Sequence, residues 1–343
     1  GGFVYNFALI MPGQMLPIQL GDLHTTDMQK MLILSTVGTI FNMTVCPYVG
    51  FVSDRHRGRF GRRIPYILFS LPFLVVSLVL YGLARPIGGW LAGVLGPWFT
   101  VAPTTMTIGV IIVITILFQF YYMYPGSVIW YLYNDILPPE LFGRINACMQ
   151  IALRAGAAVF QFFVFRHARE HYTLIFIIGA VVYAVGTLCM CLFVKERTYP
   201  PFDVAEGESH SLLQLLHRKL GGIRIFVRES FCHKFYWYRY ALSCTTMVAG
   251  MAGVYIYFYY REMGFTEADM GNLNGISGIL GLVINLVVVG LVAAWSDRWH
   301  PVRIVAYNKI FAACGMVFGA FYLFATPSPA VIIIITVTAT VLG

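Results

Sequence analysis

Charge is what this sequence has least of. Lys, Arg, Asp and Glu together make up 11% of its 343 residues, against about 25% in ordinary soluble domains. Hydrophobic residues reach 59%, more apolar surface than a water-soluble chain of this length can bury. Acid is scarcer than base, 15 residues against 23, for a net charge of +8. That surplus does not imply nucleic acid, because the basic residues crowd into two stretches instead of covering one soluble face. The seven cysteines show no paired spacing, which favours free thiols over disulfides or a metal site. No nucleophile elbow, phosphate loop or His/Cys ligand cluster occurs. An enzyme, a resident metal and a cofactor are therefore not expected. No cleavable signal peptide is visible either.

Long apolar runs take the place of these features. Ten candidate helical spans are expected near 1–20, 29–52, 65–84, 106–133, 145–166, 172–194, 236–260, 270–295, 303–325 and 329–343. Each approaches the roughly 20 residues that cross about 30 Å of hydrocarbon. Trp90, Trp98, Trp295 and Trp299 fall at span ends, where amphipathic rings prefer the membrane interface. The expectation is an integral, multi-pass protein of the plasma (cell inner) membrane, all-α, with the bilayer as one partner.

Residues 50–63 carry the strongest local signal. They read Gly-Phe-Val-Ser-Asp-Arg-His-Arg-Gly-Arg-Phe-Gly-Arg-Arg, between two stretches, 31–52 and 64–84, that hold no charge at all. Five arginines in so short a turn can sit only in water, and such loops collect on the cytoplasmic side. On that assignment the inside segments hold sixteen Lys or Arg and the outside segments five. The N-terminus is then cytoplasmic. The long segment 195–235 divides six spans from four, so the expected organisation is an N-terminal bundle (1–194), a central cytoplasmic loop (195–235) and a partial C-terminal bundle (236–343). A six-plus-six layout would place its last two spans beyond Gly343. Ser53-Asp54-Arg55 closes the second span and Ser296-Asp297-Arg298 the eighth, a trace of the internal symmetry of parallel halves.

The string Gly50-x3-Asp54-Arg55-x2-Gly58-Arg59-x-Gly61-Arg62-Arg63 resembles the loop signature of the major facilitator superfamily. With Ile64-Pro65 it is most similar to the sucrose-transporter and glycoside–pentoside–hexuronide branch, as is Tyr133-Asn134-Asp135-Ile136-Leu137-Pro138 with Gly143-Arg144. The resemblance implies two six-helix bundles and a secondary transporter that moves a sugar or glycoside-like solute by alternating access, as a monomer. It also implies a gating role for the loop, holding the cytoplasmic side closed in one conformation. Glycines permit a tight turn. Asp54 can accept charge-assisted hydrogen bonds from arginines across the interface between halves. A loop that only set topology would need the arginines but neither Asp54 nor the glycines.

A charge inside a span is costly and marks function. Arg154 lies about ten residues into the fifth span, with Gln150 one turn before it and Gln161 about two turns after. The fourth span carries Gln119, Tyr121, Tyr122, Tyr124, Trp130 and Tyr131, a run interrupted by Pro125 and Gly126; the first adds Tyr5, Asn6 and Gln14. Aromatic faces stack on sugar rings while amides and a guanidinium bond hydroxyls. Gln14, Gln119, Tyr122, Trp130, Gln150 and Arg154 are the candidate substrate-binding residues; plain helix packing is the competing reading. Lys309 can snorkel to the surface, and Gly275, Gly278 and Gly281 fit helix–helix packing.

No carboxylate lies at the middle of a span. Melibiose-type relatives carry acidic residues in helix two, where this chain has Asn42 and Cys46, and in helix four, where it has Tyr122 or Met123. That argues against sodium. It leaves a facilitator, a coupling proton through Asp135 or a carboxylate beyond the sequence, or an anionic substrate neutralised by Arg154. Alternatives to a sugar carrier are a lipid, amphiphile or other organic-anion carrier of the same fold, and a non-transporting membrane scaffold or sensor.

Overall fold

In the computed structural model, the described residues are 2–95, 102–138, 142–196 and 256–296, except 57, 59 and 195, together with isolated positions from 228 to 244 and residue 310. The ninth and tenth expected spans lie outside them apart from Ile310, and most of the seventh does too.

Apolar runs become helices in the expected order. α1 is Gly2–Asp22; α2 is Asp27–Met31, which continues through a π-helical turn, Leu32–Thr36, into α3, Val37–Arg55. α4 is Ile64–Gly82, α5 Ala84–Leu95 and α6 Pro103–Ile136. α7, Phe142–Val159, runs through a π segment, Phe160–Val164, and a 3-10 turn, Phe165–His167, before α8, Tyr172–Phe193. α9 is Ile256–Glu262 and α10 Glu267–Ser296. Four of the described helical stretches are long and apolar enough to cross a membrane: Asp27–Asp54, Ile64–Gly82, Pro103–Ile136 and Tyr172–Phe193.

Starts and stops follow local chemistry. Thr26 and Gln29 form a reciprocal capping box, and Pro65 and Pro103 occupy the first turns of α4 and α6, where a missing N–H costs nothing. At the start of α10, the Thr266 amide and hydroxyl donate to Asp269 Oδ2 at 3.1 and 2.6 Å, which holds that carboxyl below its ordinary range. One detail departs from the sequence reading: residues 85–95, expected between spans, form a helix with Ala84. Pro125 and Gly126 do not break α6, which covers the single expected span and runs for 34 residues. One missing N–H is tolerated where neighbouring helices enclose the freed carbonyl.

The main buried cluster joins α1, α4, α6, α8, the π segment after α7, α9 and α10, through residues such as Met15, Leu20, Leu74, Ile111, Phe160, Phe176 and Met270. Lipid is as apolar as these side chains, so close fit holds the helices together, not exclusion from water. Gly82 lies against Phe176 while the Thr173 hydroxyl donates to Gly82 O at 2.8 Å, fastening α8 to α4. Tyr81 donates to Thr115 Oγ1 at 3.1 Å, linking α4 to α6. Contacts divide the chain into two compact units: residues 1–199 with 257–343, and residues 200–256. In the second unit Trp237 Nε1 donates to Phe231 O at 2.9 Å, and the two rings lie 5.5 Å apart.

Candidate functional site

α3 delivers Ser53 and Asp54 to its final turn, and the chain reverses through Gly58 and Gly61 before Arg63 opens α4. Gly61 N donates to Gly58 O at 3.1 Å, and Gly61 takes φ +95°, a conformation that favours glycine. A Cβ on Gly61 would also lie 2.6 Å from Glu196 Cδ. Gly50 is less constrained, because a Cβ there would meet the Tyr131 ring at an ordinary 3.5 Å.

Arg63 sits at the centre of this turn, 3% exposed. Its Nε donates to Asp135 Oδ2 at 3.2 Å and its Nη1 to Ser53 Oγ at 2.5 Å, while Nη2 binds Asp54 Oδ1. Its guanidinium lies 5.0 Å from the centroid of the Tyr131 ring. Arg62 Nη2 pairs with Asp135 Oδ2 at 2.6 Å and Nη1 with Asp54 Oδ1 at 4.0 Å. A buried guanidinium needs every donor matched, and here the fork is shared between two carboxylates and a hydroxyl.

Glu196, just beyond α8, completes the cluster from below. Its two carboxylate oxygens accept the backbone N–H groups of Arg62 at 2.7 Å, Arg63 at 2.9 Å and Ile64 at 2.7 Å. These are the otherwise unpartnered N–H groups at the start of α4, a natural seat for negative charge. Sequence reasoning missed Glu196, which lies 134 positions from Arg62. The available signal was that it is the acid next to the end of span six, on the same side as the turn. Asp54 is engaged by arginines of its own turn. Asp135, read as a loop residue and coupling candidate, stands on the last turn of α6 inside this network. Arg55 ends α3, with its side chain outside the described residues; Arg59, Asp297 and Arg298 lie outside them altogether.

The candidate substrate residues divide into groups. Tyr5 donates to the Tyr122 hydroxyl at 3.4 Å, joining α1 to α6. Trp130, 40% exposed, borders a crevice of about 10 Å³ with Tyr5, Ile129, Tyr133, Met149, Leu153 and Met190. That holds one water at most. Gln150 and Arg154 follow Met149 and Leu153 on α7, Gln150 half-buried and Arg154 exposed. Tyr5 thus links Tyr122 to the crevice that Trp130 borders. Gln14 is half-buried on α1, and Gln119 turns the other way, its amide packed on Gly38 of α3. Gln161 is buried in the π segment after α7, away from open space. A larger cavity, about 470 Å³, lies at the opposite end of the helices from the arginine turn and is lined by Asp22, Arg85, Arg169 and Tyr172 among others.

A 67-residue stretch is 37% identical to human solute carrier family 45 member 3, covering 20% of this chain and 11% of that relative's length. The crystal structure of a D-xylose–proton symporter superposes with a TM-score of 0.61 at 14% identity, over 100% of this chain and 77% of the other. The inward-open xylose transporter of E. coli gives 0.49 at 15% identity, over 99% of this chain and 77% of that one. The symporter likeness establishes the fold. The Major Facilitator Superfamily profile matches residues 1–343, and the chain belongs to that superfamily.

Proposed function

We propose that this protein is a secondary transporter that moves a sugar or glycoside-like solute across the plasma membrane by alternating access. The observation that carries the reading is the network of Arg62 and Arg63 with Asp54, Asp135 and Glu196, which ties together the ends of α3, α4, α6 and α8. Burying a guanidinium such as Arg63 is a poor way to stabilise a static fold, since apolar residues of like volume do as well or better. Its use at a turn between spans fits a shaped seat in the first half, on which the second half closes in one state and parts in another. The arginine turn faces the cytoplasm, as does the N-terminus. Residues 1–194 and 236–343 act as the two halves around a central path, and the working unit is a monomer.

Arg154 and Gln150 on α7, with Trp130 and Tyr122 on α6, supply the polar and aromatic groups that a sugar needs; Gln14 borders the path from α1, and Gln119 serves it from the seam of α6 with α3, beside Gly38. The fold neighbour is a D-xylose–proton symporter, which supports a sugar as substrate and a proton as the coupling ion, with Asp135 the candidate carrier. Counterflow in proteoliposomes loaded with neutral pentosides, hexosides, uronides or lysolipids tests this. Accelerated exchange of neutral glycosides is expected. Exchange of uronides alone would make Arg154 a charge partner, and exchange of lysolipids alone would replace the sugar reading.

A further inference from the structure

A second charge network occupies the helix ends opposite the arginine turn, and the signature does not include it. Asp22, the last residue of α1, accepts from Arg85 Nη2 at 2.8 Å, Arg169 Nη2 at 3.3 Å and Arg261 Nη2 at 3.4 Å. Arg169 Nη2 also pairs with Glu267 Oε1 at 3.0 Å, and Tyr257 donates to the same oxygen at 3.5 Å. Nearby, the Lys30 ammonium of α2 lies 4.4 Å from the centre of the Phe258 ring on α9. Gly21 lets Arg261 close on α1, since a Cβ there would come within 2.5 Å of its Nη1.

The contacts sort by origin. On the two-half division proposed above, Asp22, Lys30, Arg85 and Arg169 belong to one half, and Tyr257, Phe258, Arg261 and Glu267 to the other. Asp22–Arg261, Arg169–Glu267 and Lys30–Phe258 therefore cross between halves, whereas Asp22–Arg85 does not. Directly beneath them, Tyr257, Tyr260, Met270 and Leu273 share one buried cluster with Met15, Leu16, Ile18 and Leu20. Charge balance singles out Asp22. Three guanidinium groups converge on one carboxylate, and without it three like charges would face one another.

We propose that this network is a latch that holds the end opposite the arginine turn shut, with Asp22 as its hub. The crossing arms through Arg261 and Glu267 do the holding, whereas Arg85 pairs with the hub from within its own half and bridges nothing. The arginine side chains are between 38% and 52% exposed, so each arm alone is weak. Removing the hub exchanges attraction for repulsion and has the larger effect.

Spin-label distances test this in the full chain, with native cysteines replaced and labels at the exposed positions Met28 and Glu262. Arg261→Gln and Glu267→Gln should each raise the long-distance population about two- to fivefold. Asp22→Asn should raise it about tenfold or more. Arg85→Gln should leave it unchanged. Equal effects of Arg85→Gln and Arg261→Gln, or an unchanged distribution in both Arg261→Gln and Glu267→Gln, overturn the latch; these two variants decide the matter even where Asp22→Asn does not fold. The readout needs no substrate. Distances that shift as expected in a protein that exchanges no glycoside would leave the latch standing and remove the sugar reading.

Discussion

Glu196 offers the sharpest test of how the arginine turn is held. Its carboxylate accepts three backbone N–H groups at the start of α4, at 2.7, 2.9 and 2.7 Å. In Glu196→Gln one oxygen becomes an amide nitrogen that can only donate, and the negative charge at the helix N-terminus disappears. A hydrogen bond to a charged group contributes about 1.5–3 kcal/mol, and the helix-terminus charge about 0.3–1 kcal/mol. The site is partly open to solvent and the glutamine keeps one acceptor, so a net loss of about 2 kcal/mol is the reasonable figure. That converts to roughly thirtyfold more frequent local opening. The turn is rich in arginine, so trypsin reads the opening directly: under native conditions cleavage follows the open population when reclosing is fast. Cleavage within residues 55–63 of the detergent-solubilised protein should accelerate about ten- to thirtyfold, with cleavage elsewhere unchanged. A rate within about twofold of the parent would show that α4 starts as firmly without Glu196, and that its carboxylate is incidental.

Asp54→Asn weakens the pairing with Arg62 and Arg63 and should raise the inward-open population several-fold, read as the ratio of cysteine labelling from the two membrane faces; an unchanged ratio would reduce the turn to a topology signal. Arg154→Lys and Arg154→Gln should each weaken substrate binding about tenfold or more with little change in thermal stability, because a point ammonium does not reproduce a planar fork; normal transport by both would place the site elsewhere. Replacing sodium with choline at constant pH should leave uptake within about twofold, well below the tenfold that 1.4 kcal/mol of coupling gives. Sodium and substrate that tighten one another's binding would refute that expectation.

Much of the helix layout was legible because membrane spans announce themselves through length and missing charge. The arginine turn was legible for the same reason, since it breaks two uncharged runs. Partners were not. Asp22 meets Arg85, Arg169 and Arg261 across 63, 147 and 239 positions, and no spacing rule spans such intervals. Asp135 was misread as loop because Asn134 and Asp135 look like turn residues, yet α6 continues to Ile136. The π segments at 32–36 and 160–164 left no mark, for in a run of Leu, Ile and Phe one register is as apolar as the next. α5 was hidden by its two adjacent glycines and its proline, poor helix formers, although Gly88 is the residue that lets α5 lie directly on Thr107.

The length of α6 has a mechanical consequence. Its 34 residues make a rod of about 51 Å, through a hydrocarbon layer of about 30 Å. One tip carries Asp135, clamped by Arg62 and Arg63; near the other, Thr107 supports α5 and with it Arg85. A rod pivoting about its middle through about 15° displaces each tip by some 6–7 Å, in opposite directions. That is beyond the reach of any hydrogen bond. A rigid helix of that length carries any tilt at one membrane face to the other, and no chain of side-chain rearrangements through the interior is required.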